Sequence, residues 1–364
     1  MQIGGLMSDI DVKKMLLEKK PFIDKIIEKY VPKKYTQDDL IFTSGKPRYA
    51  YNTEAPNKAI SEPIWDMMSR GGKRWRPTLF LLIAEALGGD VAKIGDFVII
   101  PEVVHNGTLM IDDIEDDSKI RRGQPCTHIK FGTDIAINAG NFMYYVPLLP
   151  LMRNAKDIPA ETKVEVYNIY LQEMINLGFG QGMDIAWHKG IADADKVTEG
   201  EYLQMCAYKT GCLARMSAKI SAVLANGSKE QIEAIGKLAE TVGIAFQIQD
   251  DILNLVPSGV SETKGCCGED ISEGKRTLMV IHTLKHGGED KKRLIEILNM
   301  HTENQSLRDE AIGIMKKYDS LDYSKEFARK LVKDAWGDVD SLLPSSEAKE
   351  KLEAFANFLI ERNI

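Results

Sequence analysis

The chain has 364 residues, 44% of them hydrophobic and 28% charged, with a formal net charge of -7. That composition suits a globular protein with a sizeable core. It speaks against nucleic acid as a partner, because phosphate backbones attract basic surfaces, although a local basic cluster still suits a small phosphate compound.

Residues 1–60 read as an N-terminal extension and residues 61–364 as one helical bundle. Met1 to Ser8 lack the basic flank and apolar run of a secretory signal. Residues 9–31 alternate apolar residues with lysines and acids at helical spacing, which predicts an amphipathic helix interrupted near Pro21. Residues 42–61 show no periodicity and read as a long loop. Residues 77–87 start at Pro77 and stop at Gly88–Gly89, the expected order of proline and glycine around a helix. Residues 96–116 form a second apolar helix ending in acids. Thr198 to Glu201 is a capping box that opens a helix to about Ala225, and Ser228 to Gln231 caps another that extends to about Leu255. Residues 256–276 carry Pro257, Gly259, Gly265 and Gly268 and read as a charged loop. No strand-period segment of useful length is present, so the fold class is all-α. No apolar stretch reads as a membrane span of ~20 residues. The five cysteines, Cys126, Cys206, Cys212, Cys266 and Cys267, make no paired CxxC zinc pattern and fit free thiols in a reducing cytoplasm.

The most informative stretch is Asp112–Asp113–Ile114–Glu115–Asp116–Asp117. On a helix, Asp112 and Asp116 lie on one face a turn apart, where like charges repel unless a cation sits between them. Magnesium suits that position, since it bridges one or two carboxylates to substrate phosphate. Alone, the pattern is as readily a solvated helix end. A second cluster changes the balance: Gln247, Asp250, Asp251 and Asn254 repeat the spacing inside another apolar helix. Two such helices suggest metal-ligating walls of a bundle-core site.

Cationic groups complement these acids. Gly71–Gly72–Lys73–Arg74–Trp75–Arg76–Pro77 joins a glycine pair to cations at a helix start, a plausible anion pocket. Arg121 and Arg122 follow the first acidic run. His105 precedes Asp112 by two helical turns; a histidine on an apolar helix is more often a core residue, but this alignment favours a phosphate donor. Lys209–Thr210 sits mid-helix in apolar surroundings, where a lysine needs a partner.

In order along residues 60 to 285, GGKRWRP, IDDIEDDSKIRRGQP, YKTG, FQIQDDILNL and GEDISEGKRTL resemble the motifs of trans-isoprenyl diphosphate synthases (polyprenyl synthetases), most of all the geranylgeranyl diphosphate synthases. The resemblance implies an all-helical homodimer with a deep central cavity and about three Mg2+ ions per site. It places metal on Asp112, Asp116 and Asp250, and the allylic diphosphate on Arg121, Lys209, Lys264 and Lys275. It assigns isopentenyl diphosphate to Lys73, Arg76, His105 and Arg122, and the path of the reacting carbon to Lys209, Thr210 and Gln247. Asn254 departs from the aspartate often found there, which weakens an outer metal contact unless its amide oxygen serves as ligand.

The implied activity is condensation of isopentenyl diphosphate with an allylic diphosphate, releasing diphosphate. Gly107 and Thr108, small residues one turn before Asp112, favour a product longer than C15, with C20 chosen; Phe142, Met143, Tyr144 or Tyr145 is the stop, or an ordinary core aromatic. Farnesyl and longer-chain synthases are the nearest alternatives. A class I terpene cyclase would not need the cationic groups of a second diphosphate site, and a non-catalytic subunit would be expected to lose acidic ligands.

Overall fold

The structure, a computed structural model, describes residues 10–154, 156–256 and 267–361; Lys264 and Cys266 lie outside the described residues. Backbone contacts divide the chain into two compact units. One holds the residues up to Asn168 with Ser217–Ile232 and Leu343–Ala354; the other holds Ile169–Met216, Glu233–Leu342 and the residues from Phe355 on.

The first unit contains α1 (Val12–Tyr30), α2 (Gln37–Ser44), α3 (Glu54–Pro56), α4 (Glu62–Ser69), α5 (Trp75–Ala86), α6 (Val91–Ile94), α7 (Ile99–Glu115), the hairpin β1 (Ile120–Arg121) and β2 (Gln124–Pro125), α8 (Thr127–Phe131) and α9 (Thr133–Tyr145). The extension helix α1 is continuous through Pro21, contrary to the expected interruption. Proline costs a helix one hydrogen bond and a steric clash. Here Asp11 caps the start, and the face bearing Ile23, Ile27 and Tyr30 is buried, with α1 packed on α5 and α7. The expected loop over 42–61 is shorter than its composition suggested. Helix resumes at Glu54 and passes through a π-helical turn, Asn57–Ser61, into α4.

Helix α5 is buried along nearly its whole length, which explains why its sequence shows an apolar run rather than a stripe. The stretch Val91–Glu115 is long and apolar enough to cross a membrane by length and composition, correcting the expectation of no such stretch. It is mostly buried inside the fold and serves as core. Helix α7 lies against α9 through two glycines. A Cβ on Gly107 would stand 2.8 Å from Met143 Cβ and 3.0 Å from the Gly140 carbonyl oxygen, and one on Gly140 would meet Ile111 Cδ1 at 2.8 Å.

Arg74 ties these helices together from a left-handed backbone conformation (φ 53°). Only 4% exposed, it donates from Nε to Asp24 Oδ1 of α1 at 2.8 Å and from Nη1 to Glu102 Oε1 of α7 at 2.7 Å. Its carbonyl accepts from Thr78 Oγ1 at 2.9 Å.

The second unit takes in most of α10 (Ala160–His188), α11 (Glu199–Cys206), a π-helical turn at Ala207–Gly211, the start of α12 (Cys212–Leu224) and most of α13 (Lys229–Leu255). It continues through α14 (Glu269–Ser272), α15 (Leu278–His286), α16 (Asp290–Asn299), α17 (Gln305–Lys317) and α18 (Ser320–Asp340); α19 (Glu347–Glu361) begins in the first unit. The capping box at Thr198 forms as expected, with Thr198 Oγ1 accepting from the Glu201 N–H and Glu201 accepting from the Thr198 N–H. The next helix start is capped by Ser228 and Gln231 in the same reciprocal way.

Replacing Arg74 by alanine leaves Glu102 buried without its charge partner, a change that costs about 3–5 kcal/mol. Urea denaturation of Arg74→Ala should show that loss; a midpoint equal to that of the parent chain would contradict it.

Candidate active site

The first unit carries the first acidic run and a cluster of cations. Asp112 and Asp116 are half-buried at the C-terminal end of α7. A helix end of that polarity disfavours anions, since its free carbonyls already carry partial negative charge. Part of the excess is answered locally. Arg121 on β1 donates from Nε to Asp113 Oδ1 at 2.7 Å, with Nη2 at 2.5 Å from the same oxygen and 3.6 Å from Asp112 Oδ2. Asp113 is fully buried, so its carboxylate serves Arg121 rather than the outer face. Asp112, Glu115 and Asp116 remain partly accessible, leaving carboxylates one turn apart at the negative end of a helix.

That arrangement fits a hard divalent cation. Among the described residues no three His, Cys, Asp or Glu side chains converge as a ready cage. A carboxylate pair that shares its ion with substrate phosphate is the ligand set magnesium commonly takes.

About 10 Å back along α7, by helical rise, stands His105. Burial first, and then the charges of Arg76, Arg122, Arg121 and Arg74, push its imidazole well below the ordinary histidine value. His105 is therefore a neutral donor at neutral pH, not a cation. Arg76 is buried, stacked 4.2 Å from the Trp75 ring centroid, and its backbone carbonyl accepts from Ser217 Oγ at 3.0 Å. Arg122 donates from Nη1 to the Gly71 carbonyl at 3.0 Å, beside the glycine pair whose φ values of +102° and +129° only glycine adopts readily. Lys73 stays exposed on that loop. The structure thus gathers His105, Arg76 and Arg122, and adds Arg74 and Arg121 to the same field.

The residues weighed for chain length separate. Gly107 is small because α9 crosses it, not because it opens a cavity. Thr108 is half-buried and donates to the His105 carbonyl at 2.7 Å. Phe142 is half-buried, whereas Tyr145 is 73% exposed in this chain. Tyr144 is the aromatic beside the acids: burial, then Glu115 and Asp112, push its phenol above the ordinary value.

The second unit carries the other group. Lys209, Thr210, Gln247, Asp251 and Lys275 line one cavity with Asp184, His188 and Tyr202. Lys209 and Thr210 belong to the π-helical turn Ala207–Gly211, which lies between two close approaches. A Cβ on Gly180 of α10 would stand 2.2 Å from the Lys209 nitrogen, and one on Gly243 of α13 would stand 2.7 Å from Gly211 Cα. Lys209 Nζ pairs with Asp184 Oδ2 at 2.5 Å. Burial opposes the charge of Asp184, but Lys209 and Lys275 outweigh it and hold the carboxyl below its ordinary value. Lys275 also pairs with Asp270 Oδ1 at 3.6 Å and with Glu273.

Asp250 is half-buried while Asp251 is buried. Burial and the neighbouring Asp270 push Asp251 up to about 8 against the pull of hydrogen bonds from Gln247 and Tyr202. The Asn254 side-chain oxygen accepts from the Asp270 N–H at 3.1 Å, so it is engaged as a backbone cap. Asp184 and Tyr202 went unnoticed in the sequence. The buried lysine at 209 was the available signal for Asp184, since a partner had to exist.

The fold is an all-α isoprenoid-synthase type. A geranylgeranyl pyrophosphate synthetase of Pyrococcus horikoshii shares it with a TM-score of 0.82 and 33% identity, over 97% of this chain and 98% of that one. The chain belongs to the polyprenyl synthetase family, whose model matches residues 57–315. Similar relatives include a geranylgeranyl diphosphate synthase of Sulfolobus acidocaldarius, 33% identical over 83% of this chain and 91% of the relative. A short chain isoprenyl diphosphate synthase of Methanothermobacter thermautotrophicus is 34% identical over 81% and 88% respectively.

The depressed His105 value links stability to pH. The unfolded chain takes up a proton below about 6.5 that the folded chain refuses, so stability falls with pH by up to ~1.4 kcal/mol per unit. His105→Gln removes this linkage. Urea titrations at pH 7.5 and 5 should show the parent chain losing more stability than the variant; equal losses would exclude a depressed His105.

Proposed function

We propose that the chain is a magnesium-dependent prenyltransferase that joins isopentenyl diphosphate to an allylic diphosphate and releases diphosphate, with geranylgeranyl diphosphate as product. The observation that supports it most is on α7. One helix bears a carboxylate pair at its end and, two turns back, a histidine inside a field of buried and half-buried arginines. Two diphosphates need two different holds, and α7 supplies both.

In this reading Arg76, Arg122 and His105, with Lys73 from the loop, bind isopentenyl diphosphate by direct donation, the guanidinium forks matching phosphate oxygens. Arg121, Lys209 and Lys275, with Lys264, bind the allylic diphosphate. Magnesium held by Asp112, Asp116 and Asp250 would supply positive charge that favours departure of that diphosphate. When the C1–O bond breaks, its electron pair leaves with the diphosphate, and C1 becomes cationic beside the oxygens of Lys209, Thr210 and Gln247. The isopentenyl double bond attacks C1, forming the new C–C bond. A C2 proton then passes to the released diphosphate, leaving the new double bond. A neutral imidazole still carries one N–H, which His105 can donate to phosphate. The C20 product rests on Thr108 and on the names of the relatives, since packing against α9 accounts for Gly107. A cytoplasmic location accords with free thiols at Cys126, Cys206, Cys212 and Cys267.

We also propose a homodimer. Leu171, Ile175 and Phe179 of α10, each more than half exposed, repeat every fourth residue and so share one face. An exposed apolar stripe of this kind marks an interaction surface.

The chain incubated with magnesium, isopentenyl diphosphate and C5, C10 or C15 primers should yield a C20 diphosphate. Asp112→Ala should lower kcat on the order of 10²-fold or more. A dominant C15 product would sink the C20 reading, and near-normal turnover by the variant would remove Asp112 from the metal site. Sedimentation at micromolar concentration should find a dimer that Phe179→Glu splits; a parent chain sedimenting as monomer would refute the dimer.

A further inference from the structure

A row of hydrogen bonds runs through the second unit from its core to the cavity. Tyr202 of α11, 2% exposed, donates its hydroxyl to Asp251 Oδ2 at 2.8 Å. Asp251 Oδ1 accepts from the Gln247 amide Nε2 at 2.8 Å. Gln247 Oε1 accepts from Thr210 Oγ1 at 2.9 Å. The donors converge on Asp251, Thr210 and Gln247 in sequence from one side and Tyr202 from the other.

The sense of these bonds follows from the donor inventory. Gln247 Nε2 donates to Asp251 Oδ1 while Tyr202 donates to Asp251 Oδ2, so the Gln247 amide has its NH2 toward Asp251 and its oxygen toward Thr210. Threonine has one hydroxyl hydrogen and two lone pairs. Its hydrogen goes to Gln247, and its lone pairs are left for whatever occupies the cavity that these residues line. Were the Gln247 amide reversed, Nε2 would donate to Thr210, and the threonine hydrogen would be free to turn outward.

We propose that Tyr202 and Asp251 are positioning residues that act through Gln247 to keep the lone pairs of Thr210, not its hydrogen, toward the reacting carbon. The inference rests on the condensation reading of this site. A carbon losing its diphosphate becomes positive, and a fixed dipole presenting oxygen to it lowers the barrier, whereas one presenting hydrogen raises it. Tyr202 matters because it occupies the second oxygen of Asp251. Without that bond the buried carboxyl can rotate and no longer dictates the amide.

The test is a pair of substitutions studied singly and together. Tyr202→Phe keeps the ring and removes one hydrogen bond, and should lower kcat about 3- to 10-fold, the worth of a net hydrogen bond. KM for both diphosphates should move by less than about twofold, because no ground-state contact is lost. In a Gln247→Leu background, where no amide remains to orient, Tyr202→Phe should change kcat by less than about twofold. The same factor in both backgrounds, an unchanged kcat in the single variant, or a rise in KM alone would each overturn the proposal. Thermal unfolding of Tyr202→Phe distinguishes lost orientation from lost fold. If that variant does not fold, Asp251→Asn takes its place in the same cycle, since its side-chain N–H can reverse Gln247 without changing shape. A parent chain that fails to condense the two diphosphates overturns the condensation reading; a parent chain that condenses normally while the cycle is additive overturns this inference alone.

Discussion

The constraint on which the first unit depends is negative charge collected at the wrong end of a helix. Asp112, Asp113, Glu115 and Asp116 crowd the C-terminal turn of α7, the end at which the helix dipole is negative. Arg121, brought back by a tight hairpin, satisfies Asp113 and approaches Asp112. Asp112, Glu115 and Asp116 stay grouped at that end of the helix. A fold tolerates this only if the rest of the helix is held firmly, and α7 is: it is buried over most of its length and fixed to α1 through Arg74. Stability in the body of the helix carries the tension at its tip.

The second unit solves a different problem, which is to place a lysine among charged and polar groups at the wall of a cavity. Lys209 sits in a π-helical turn with Gly180 on one side and Gly243 close to the neighbouring Gly211 on the other. Side chains at those glycines would meet backbone, so glycine at both positions is what lets the turn lie this close to α10 and α13. The same closeness brings Asp184 within reach of the ammonium group. Helical irregularity here is an element of placement, as is common where π-turns occur in functional sites.

Much of this was legible in the sequence because it is written at fixed spacing. Capping at Thr198 and Ser228, the start of α5 and the acidic end of α7 depend on neighbours within one turn, and pattern reading captures such neighbours. Partners far apart in the chain left no such trace. Arg74 was one cation among three in GGKRWRP, yet it is the structural one, paired with Asp24 and Glu102. Tyr202 carries no local signal, since its hydroxyl finds Asp251 across 49 residues. The packing of α9 on Gly107 left no trace either, because a small residue beside a site and a small residue under a crossing helix look alike in one dimension. Pro21 and the residues from 54 to 61 misled for a related reason: tertiary packing holds helix where local preference argues against it.

Asn254 carries a consequence for where Lys275 is held. Its carbonyl accepts from the Gly268 N–H at 2.8 Å and its side chain from the Asp270 N–H, so the two ends of the intervening segment are clasped together. Lys275, whose N–H donates to the Asp270 carbonyl at 2.9 Å, takes its register from that clasp.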